Sequence, residues 1–231
     1  MLVGAGVLMA TGATTAHATR FRADGSDLIG LYRAEAAHRD ATGNQVRTLR
    51  ADVEAATDQV ARSDQSVAGL QRRARSLAAF AGVDAVHGPG VEVTLDDASP
   101  SARSNTRFEA DDLVVHQQDV QAVVNALWAG GAEAMMIQGQ RIISTSAIRC
   151  VGNTLILQGK LSSPPYAITA IGNTRRLKAA LQDSPQVDIY LEYVKLVGLG
   201  WKVETRDDVS LPAYDGSLEL RYAHVAPSTT R

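Results

Sequence analysis

Apolar residues recur at alternating steps of three and four through the first third of the chain, and from Ser26 no proline intervenes until Pro89. Val46, Leu49, Val53, Ala56, Val60, Ser63, Val67, Leu70, Ala74 and Leu77 fit the a and d positions of a heptad repeat. That is the pattern by which one helix buries a seam against another. The alanine, glutamate, arginine and glutamine between them favour helix. Upstream the register weakens, because Leu28, Tyr32 and Glu35 lead into Arg39 and Thr42, and a kink or break is expected at Gly43-Asn44. One helix over residues 27–80 would reach roughly 80 Å at about 1.5 Å per residue. Two readings fit. One is a coiled-coil stem with Val46, Leu49, Val53, Val60, Val67, Leu70 and Leu77 as its seam; the other is a solvated helix packed on the domain, which Ala56, Ser63, Ala74 and Gly69 favour.

At His87-Gly88-Pro89-Gly90 the pattern turns strand-like, which marks a domain boundary. Val91, Val93 and Leu95 alternate with polar positions, as on a half-buried strand. A polar loop, residues 96–112, follows, and Asp111 and Asp112 suit a helix start. Val120, Val123, Val124 and Leu127 form the apolar stripe of a helix over 119–128 that Gly130-Gly131 stops. Ala134–Ile137 reads as a buried strand, 142–150 and 154–158 as strands joined by a hairpin turn at Val151-Gly152-Asn153, and Tyr166–Ile171 as another strand. Helices from Thr174 to Leu181 and from Pro185 to about Leu199 precede a last core strand, Trp201–Thr205. The order β-α-β-β-α-β, with an inserted hairpin, predicts an α+β domain of ferredoxin-like plait type. The expected organisation is an anchor remnant or signal segment at 1–19, a helical stem at 20–84, the plait at 85–206, and an edge hairpin with a tail at 207–231.

Composition narrows the partners. With 23 Lys+Arg against 25 Asp+Glu, bulk charge calls for neither nucleic acid nor an anionic membrane surface. The single cysteine, Cys150, rules out an intrachain disulfide and a thiolate metal cluster; within an apolar strand it reads as a buried packing residue. The opening run MLVGAGVLMATGATTAHA has no charge before Arg20. It is short for a spanning helix and lacks a basic n-region, while Ala16-His17-Ala18 fits a signal-peptidase site. An anchor continuing upstream is the leading expectation, a cleaved signal the second and a buried helix the third. Either of the first two places the rest outside the cytoplasm.

Candidate chemistry is sparse. His116, close to Asp111, Asp112 and Asp119, reads as a capping or packing residue rather than a general base. No metal-ligand spacing, phosphate-binding glycine loop or esterase elbow is present, so no cofactor or metal is expected. Asp96-Asp97 reads as a strand-ending turn, since neighbouring strand residues point to opposite faces. Aromatic content of 5% argues against base stacking on an RNA-binding plait. Gln140, Arg141, Arg149, Asn153, Pro165 and Tyr166 remain as a candidate interaction or ligand surface at strand ends and loops, or as groups that fix those loops internally.

The segments GPGVEVTLDDA, DLVVHQQDVQAVVNALWAGGAEAMMIQGQRI, SAIRCVGNTLIL and SPPYAITAIGN resemble, in this order from about Gly88 to Trp201, the bacterial domain-of-unknown-function family numbered 881, the YlxW-like proteins. The resemblance implies an N-terminal membrane anchor, a coiled-coil stem and an extracytoplasmic ferredoxin-like domain in Gram-positive bacteria. It implies no established enzyme activity or ligand, and for some relatives an association with cell division or envelope assembly. This chain departs from that pattern in having no basic segment at its N-terminus. The function expected is therefore a non-enzymatic, single-pass membrane protein that meets a partner or a second copy through its stem. The rival is a plait that senses a small ligand or peptide.

Overall fold

The computed structural model describes residues 25–103, 107–151, 154–218 and 222–224. The expected anchor or signal at 1–19 and the candidate residue Asn153 lie outside them. The chain divides into two compact units, Met1–Val53 and Glu54–Arg231. It is an α+β protein with a long N-terminal helix and antiparallel sheets.

Helix α1, Gly25–Ala61, runs through Gly43-Asn44 without the expected break. A helix-interior glycine costs only about 1 kcal/mol, and local bonds support this turn: Thr42 donates to the His38 carbonyl, Thr48 to the Asn44 carbonyl and Arg47 to the Asn44 side chain. The interruption comes later. Asp64 caps α2, Gln65–Ala81, by accepting from the amides of Ser66 at 2.8 Å and Val67 at 3.3 Å. Beyond this turn Gln71 and Arg75 both reach Asp58, the Arg75 pair at 2.5 Å, so the chain reverses on itself. The seam is thus divided, Val46, Leu49, Val53 and Val60 falling on α1 and Val67, Leu70 and Leu77 on α2. The expected continuous rod is replaced by two helices, because the heptad pattern passes through Asp64 while the capping chemistry of that residue stops a helix there.

The main sheet has the order β3-β2-β7-β1-β8, with all pairs antiparallel. Its strands are β1 (Val86–Asp96), β2 (Ala134–Ile137), β3 (Gln140–Ile142), β7 (Tyr166–Ile171) and β8 (Gly200–Leu211); a second sheet joins β4 (Ile148–Val151), β5 (Thr154–Leu157) and β6 (Lys160–Ser162). A one-turn helix α3, Pro100–Arg103, lies in the loop after β1, and α4 (Gln117–Ala129), α5 (Thr174–Gln182) and α6 (Pro185–Val197) complete the elements. Side-chain alternation on β1 buries Val91, Val93 and Leu95 completely. They share one core with Met135, Ile137, Tyr166, Ile168 and the apolar stripes of α4, α5 and α6. Burying each such side chain is worth about 1.5–3 kcal/mol. Asn173, Ser184 and Pro185 start α5 and α6 as their types dictate, both side chains accepting from backbone amides.

Two hairpins use the same dipeptide. Gln138-Gly139 links β2 to β3 and Gln158-Gly159 links β5 to β6, with positive φ at all four residues. That is the conformation of the mirror-image turns whose twist matches a hairpin. On the sheet face away from the core, one row of neighbours crosses all five strands: Arg141, Met136, Thr169, Glu92 and Glu204. The register of β1 against β8 shifts between Gly88 and Gly90, where Pro89 has no N–H to give the ladder. Past this bulge β8 continues to Leu211 opposite Val86, so residues 207–211 extend the sheet instead of starting an edge hairpin. Among the described residues beyond Leu211 there is no further strand.

Gly90 sits in β1 with no room for a side chain against β7. A Cβ there would lie 2.3 Å from the Ala170 carbonyl oxygen and 3.2 Å from Val209. Gly90→Ala is expected to cost more than about 2 kcal/mol through strand displacement, read as a lowered urea midpoint; an unchanged midpoint would show that the sheet absorbs the methyl.

Candidate functional site

The described residues that gather titratable groups into one concavity lie at the start of α4. Asp111 and Asp112 occupy a 3₁₀ turn, Asp111–Leu113, and His116 stands at the N-cap position of α4. The Asp119 carboxylate accepts from the His116 backbone N–H at 2.8 Å, as a capping-box acid does. The His116 ring lies 3.2 Å from Asp111 through Nε2 and 3.7 Å from Asp119 through Nδ1. Helix α6 supplies the opposite wall. Ile189, Tyr190 and Tyr193, with Leu199, close a cleft of about 330 Å³ around these groups.

The electrostatics are those of a binding cleft with an acidic wall. Burial raises the Asp119 pKa above its ordinary value, against the lowering pull of the His116 N–H and ring. Burial also raises the Tyr190 phenol, whose hydroxyl donates to the Gly200 carbonyl at 2.7 Å, so it stays neutral. An Asp-His-Asp arrangement suits proton transfer, yet the cleft lining presents no serine, threonine, cysteine or lysine as a nucleophile. Among the described residues no group of three or more His, Cys, Asp or Glu side chains is placed to hold a metal ion. With Tyr190 and Tyr193 beside the carboxylates of Asp111, Asp112 and Asp119, the arrangement can attract a cation.

The residues singled out from the sequence at strand ends do not form one surface. Arg141 is buried on β3 and donates to the carbonyls of Asp84 and Pro212, at 3.2 and 3.0 Å, tying the segment before β1 to the one after β8. Its burial lowers the guanidinium pKa. Gln140 is buried on the core side of the same strand. Tyr166 is fully buried opposite Leu95, its phenol pushed up to about 12 by desolvation. Arg149 and Pro165 are exposed. Pro165, after a cis peptide bond, is held from below by Gln138, which donates to its carbonyl at 3.1 Å and accepts from the Ala167 amide. Arg141 and Pro165 are thus tied into the segments around them. Cys150 is also a correction: it is exposed, because β4 buries only Ile148. Asp96-Asp97 does end β1, with Asp97 accepting from the Val115 amide at 2.9 Å. Tyr190 and Tyr193 went unseen in the sequence, since their apolar spacing on α6 gives no sign that they face a histidine more than seventy residues away.

Asp119→Asn keeps an oxygen for the His116 amide and removes the charge. Because the folded state holds the Asp119 proton more tightly than the unfolded chain, folding is favoured by this group as pH falls toward 3.8 and disfavoured above its raised value. The unfolding free energy of the wild type relative to Asp119→Asn should therefore rise between about pH 7 and about pH 4. A difference that stays flat across that range would mean the carboxylate is not desolvated.

The family model described as "Bacterial protein of unknown function (DUF881)" matches residues 73–224. The chain is 31% identical over 195 residues to UPF0749 protein Rv1823 of Mycobacterium tuberculosis strain H37Rv, covering 80% of this chain and 62% of that protein. It is 36% identical over 80 residues to UPF0749 protein YlxW of Bacillus subtilis, covering 35% of this chain and 33% of that one. The chain thus spans less than two thirds of the length of these curated relatives. A crystal structure of an uncharacterized conserved protein from Mycobacterium tuberculosis superposes with a TM-score of 0.50 at 28% identity, over 67% of this chain and 99% of that one. With two thirds of its length matched by the family model and a sequence relative that agrees across most of the chain, this protein belongs to the DUF881 family.

Proposed function

We propose that the chain is a non-enzymatic interaction protein, tethered to the membrane through its apolar N-terminal run and working outside the cytoplasm in envelope or division assembly. In this reading the helices capture a partner helix or a second copy, and a ferredoxin-like plait is the structured head. The plait reading is supported by the order β8-β1-β7-β2, in which the first strand in sequence lies between the last and the third and the second lies beyond the third, with β3 added outside it. In this reading β4–β5, extended by β6, would be the inserted hairpin. The tether rests on the composition of residues 1–18; among the described residues no helix is long and apolar enough to cross a membrane.

One observation carries the proposal: the seam side chains of both helices, the half-buried Val67 apart, face solvent. Leu49 is 55% exposed, Leu70 69% and Leu77 58%, and Phe80 beside them is 91% exposed. Leaving several large apolar side chains in water on two helices forgoes about 1.5–3 kcal/mol each, which a facing helix would recover. Replacing Leu49, Val53, Leu70 and Leu77 together by serine should weaken self-association or partner capture at least about a hundredfold and leave the melting of the sheet domain unchanged. Analytical ultracentrifugation of the full chain and the variant reads this directly, and equal association of the two would sink the proposal.

The acidic cleft favours a second reading, a plait that senses a small cationic ligand. Titrating the full chain with lysine, a diamino-acid peptide and spermidine should shift amide resonances of His116, Asp119 and Tyr193 if this is so, and His116→Ala with Asp111→Asn should abolish the shifts. Resonances that do not move at about 10 mM ligand, a regime in which even weak sites fill, would discard it.

A further inference from the structure

We infer that β8 is a self-pairing edge through which a second copy of this chain joins the sheet, antiparallel and centred on Val203. The strand is 12 residues long and ends the sheet order, so among the described residues it is paired to β1 on one side and to no strand on the other. Edges of that length are normally blunted by charge or covered. Charge is present on β8, but in an order that matches itself.

A two-fold axis through Val203 sets each residue opposite the one equally far on the other side. Lys202 then faces Glu204 of the second copy, and Glu204 faces Lys202, on the sheet face away from the helices. Trp201 faces Thr205 and Val203 faces itself on the helix-covered face, and Gly200 faces Arg206. Opposite charges directly across an antiparallel pair are favourable and like charges unfavourable. Within one chain the same residues already alternate, Lys202 lying 3.0 Å from Glu204, and Arg206 reaching Glu204 at 3.1 Å and Glu92 at 2.9 Å. A reversed copy continues that alternation across the axis. The pairing also has a stop: Asp207 and Asp208 follow at the bulge, where the phase of the strand changes, and both fall beyond the seven residues Gly200–Arg206 that the axis pairs.

The helix-covered side leaves room for the addition. Trp201 and Val203 are half-buried, and with Leu181, Leu191, Gln182 and Lys178 they line an apolar hollow of about 300 Å³ alongside the free edge. Residues opposite one another on paired strands share a face, so Val203 and Trp201 of the second copy would project on the side of that hollow. This surface is distinct from the exposed seam of α1 and α2.

The test uses the full chain carrying the four serine substitutions in the helices, so that seam-driven association does not contribute, followed by sedimentation velocity from about 10 μM to about 1 mM, the range of a small strand-addition interface. Dimerisation is expected. Lys202→Glu alone and Glu204→Lys alone each set like charges across the axis twice, and each should weaken the dimer about tenfold. The double exchange, Lys202→Glu with Glu204→Lys, should restore it to within about threefold of the parent. All four proteins should melt within a few degrees of one another, because the intrachain pairs of Glu204 with Lys202 and Arg206 lie at the surface, where such pairs add little to stability. A parent that stays monomeric throughout, single variants that associate as the parent does, or a double exchange that fails to restore pairing would each overturn the inference. The first of these outcomes would leave the edge to an extended segment of another chain or to protection by its own charges. If the serine variant associates as strongly as the wild type while the charge exchange behaves as expected, the helix proposal fails and the edge pairing stands.

Discussion

Strand β1 is the constraint on which the rest of this domain depends. Among the described strands it is the longest one paired on both sides, with β7 from Gly90 to Leu95 and with β8 from Val86 to Asp96. Its period of two sends Val91, Val93 and Leu95 into the core and Glu92 and Thr94 to the other face, and a slip of one residue would exchange those sets. The two neighbours inherit their registers from it. Tyr166 is buried because it stands opposite Leu95, and the Glu92–Glu204 pairing gives Arg206 two carboxylates to bridge. Gly90 and Pro89 then decide where that regularity ends: one lets β7 come close, and the other breaks the ladder so that the far half of β8 changes phase.

What could be read in the sequence follows from how local its cause is. Val91, Val93 and Leu95 announced a strand because alternation is a property of five residues, and Asn173 and Pro185 announced helix starts because a cap is a property of four. Asp64 belonged to the same class of signal. It was hidden by Val60 and Val67, which continue a heptad register across it, although a register describes only what a helix would bury and not whether the helix exists. The capping acid prevails because the alternative leaves its carboxylate no special partner. Gly43-Asn44 is the converse case, a breaker signal outweighed by the long helix around it.

The candidate site was illegible for a different reason. His116, Asp111 and Asp119 are close in sequence and were visible together, but Tyr190, Tyr193 and Leu199 reach them only because α6 packs against the start of α4. Arg141 shows the same limit from the other side. An arginine after a turn reads as a surface cation, and only the fold reveals that two backbone carbonyls, those of Asp84 and Pro212, converge on it. A buried guanidinium that serves two carbonyls is an instrument of geometry. It fixes where the chain enters the sheet from α2 and where it leaves after β8, and Gly82 supports the same junction by accepting the Tyr214 amide at 2.8 Å with its carbonyl.

The distribution of unspent surface in this molecule points toward association. Most polar groups of the described residues are satisfied within the chain, the buried Gln140 Oε1, Arg141 Nε and Gln158 Oε1 excepted: the cleft acid caps a helix, the buried arginine donates to two carbonyls, and the amide side chain of Gln138 holds the proline turn. Its apolar groups are not. The seam leucines and Phe80 lie on the helices, Trp201 and Val203 line a hollow at an open sheet edge, and each of these features has a geometry that another helix or another strand completes. Apolar area gains from burial wherever it is covered, whereas a strand edge accepts only a backbone of the right direction and register. In the proposed assembly the helices would therefore supply the larger driving force, and β8 the finer selection of what is assembled.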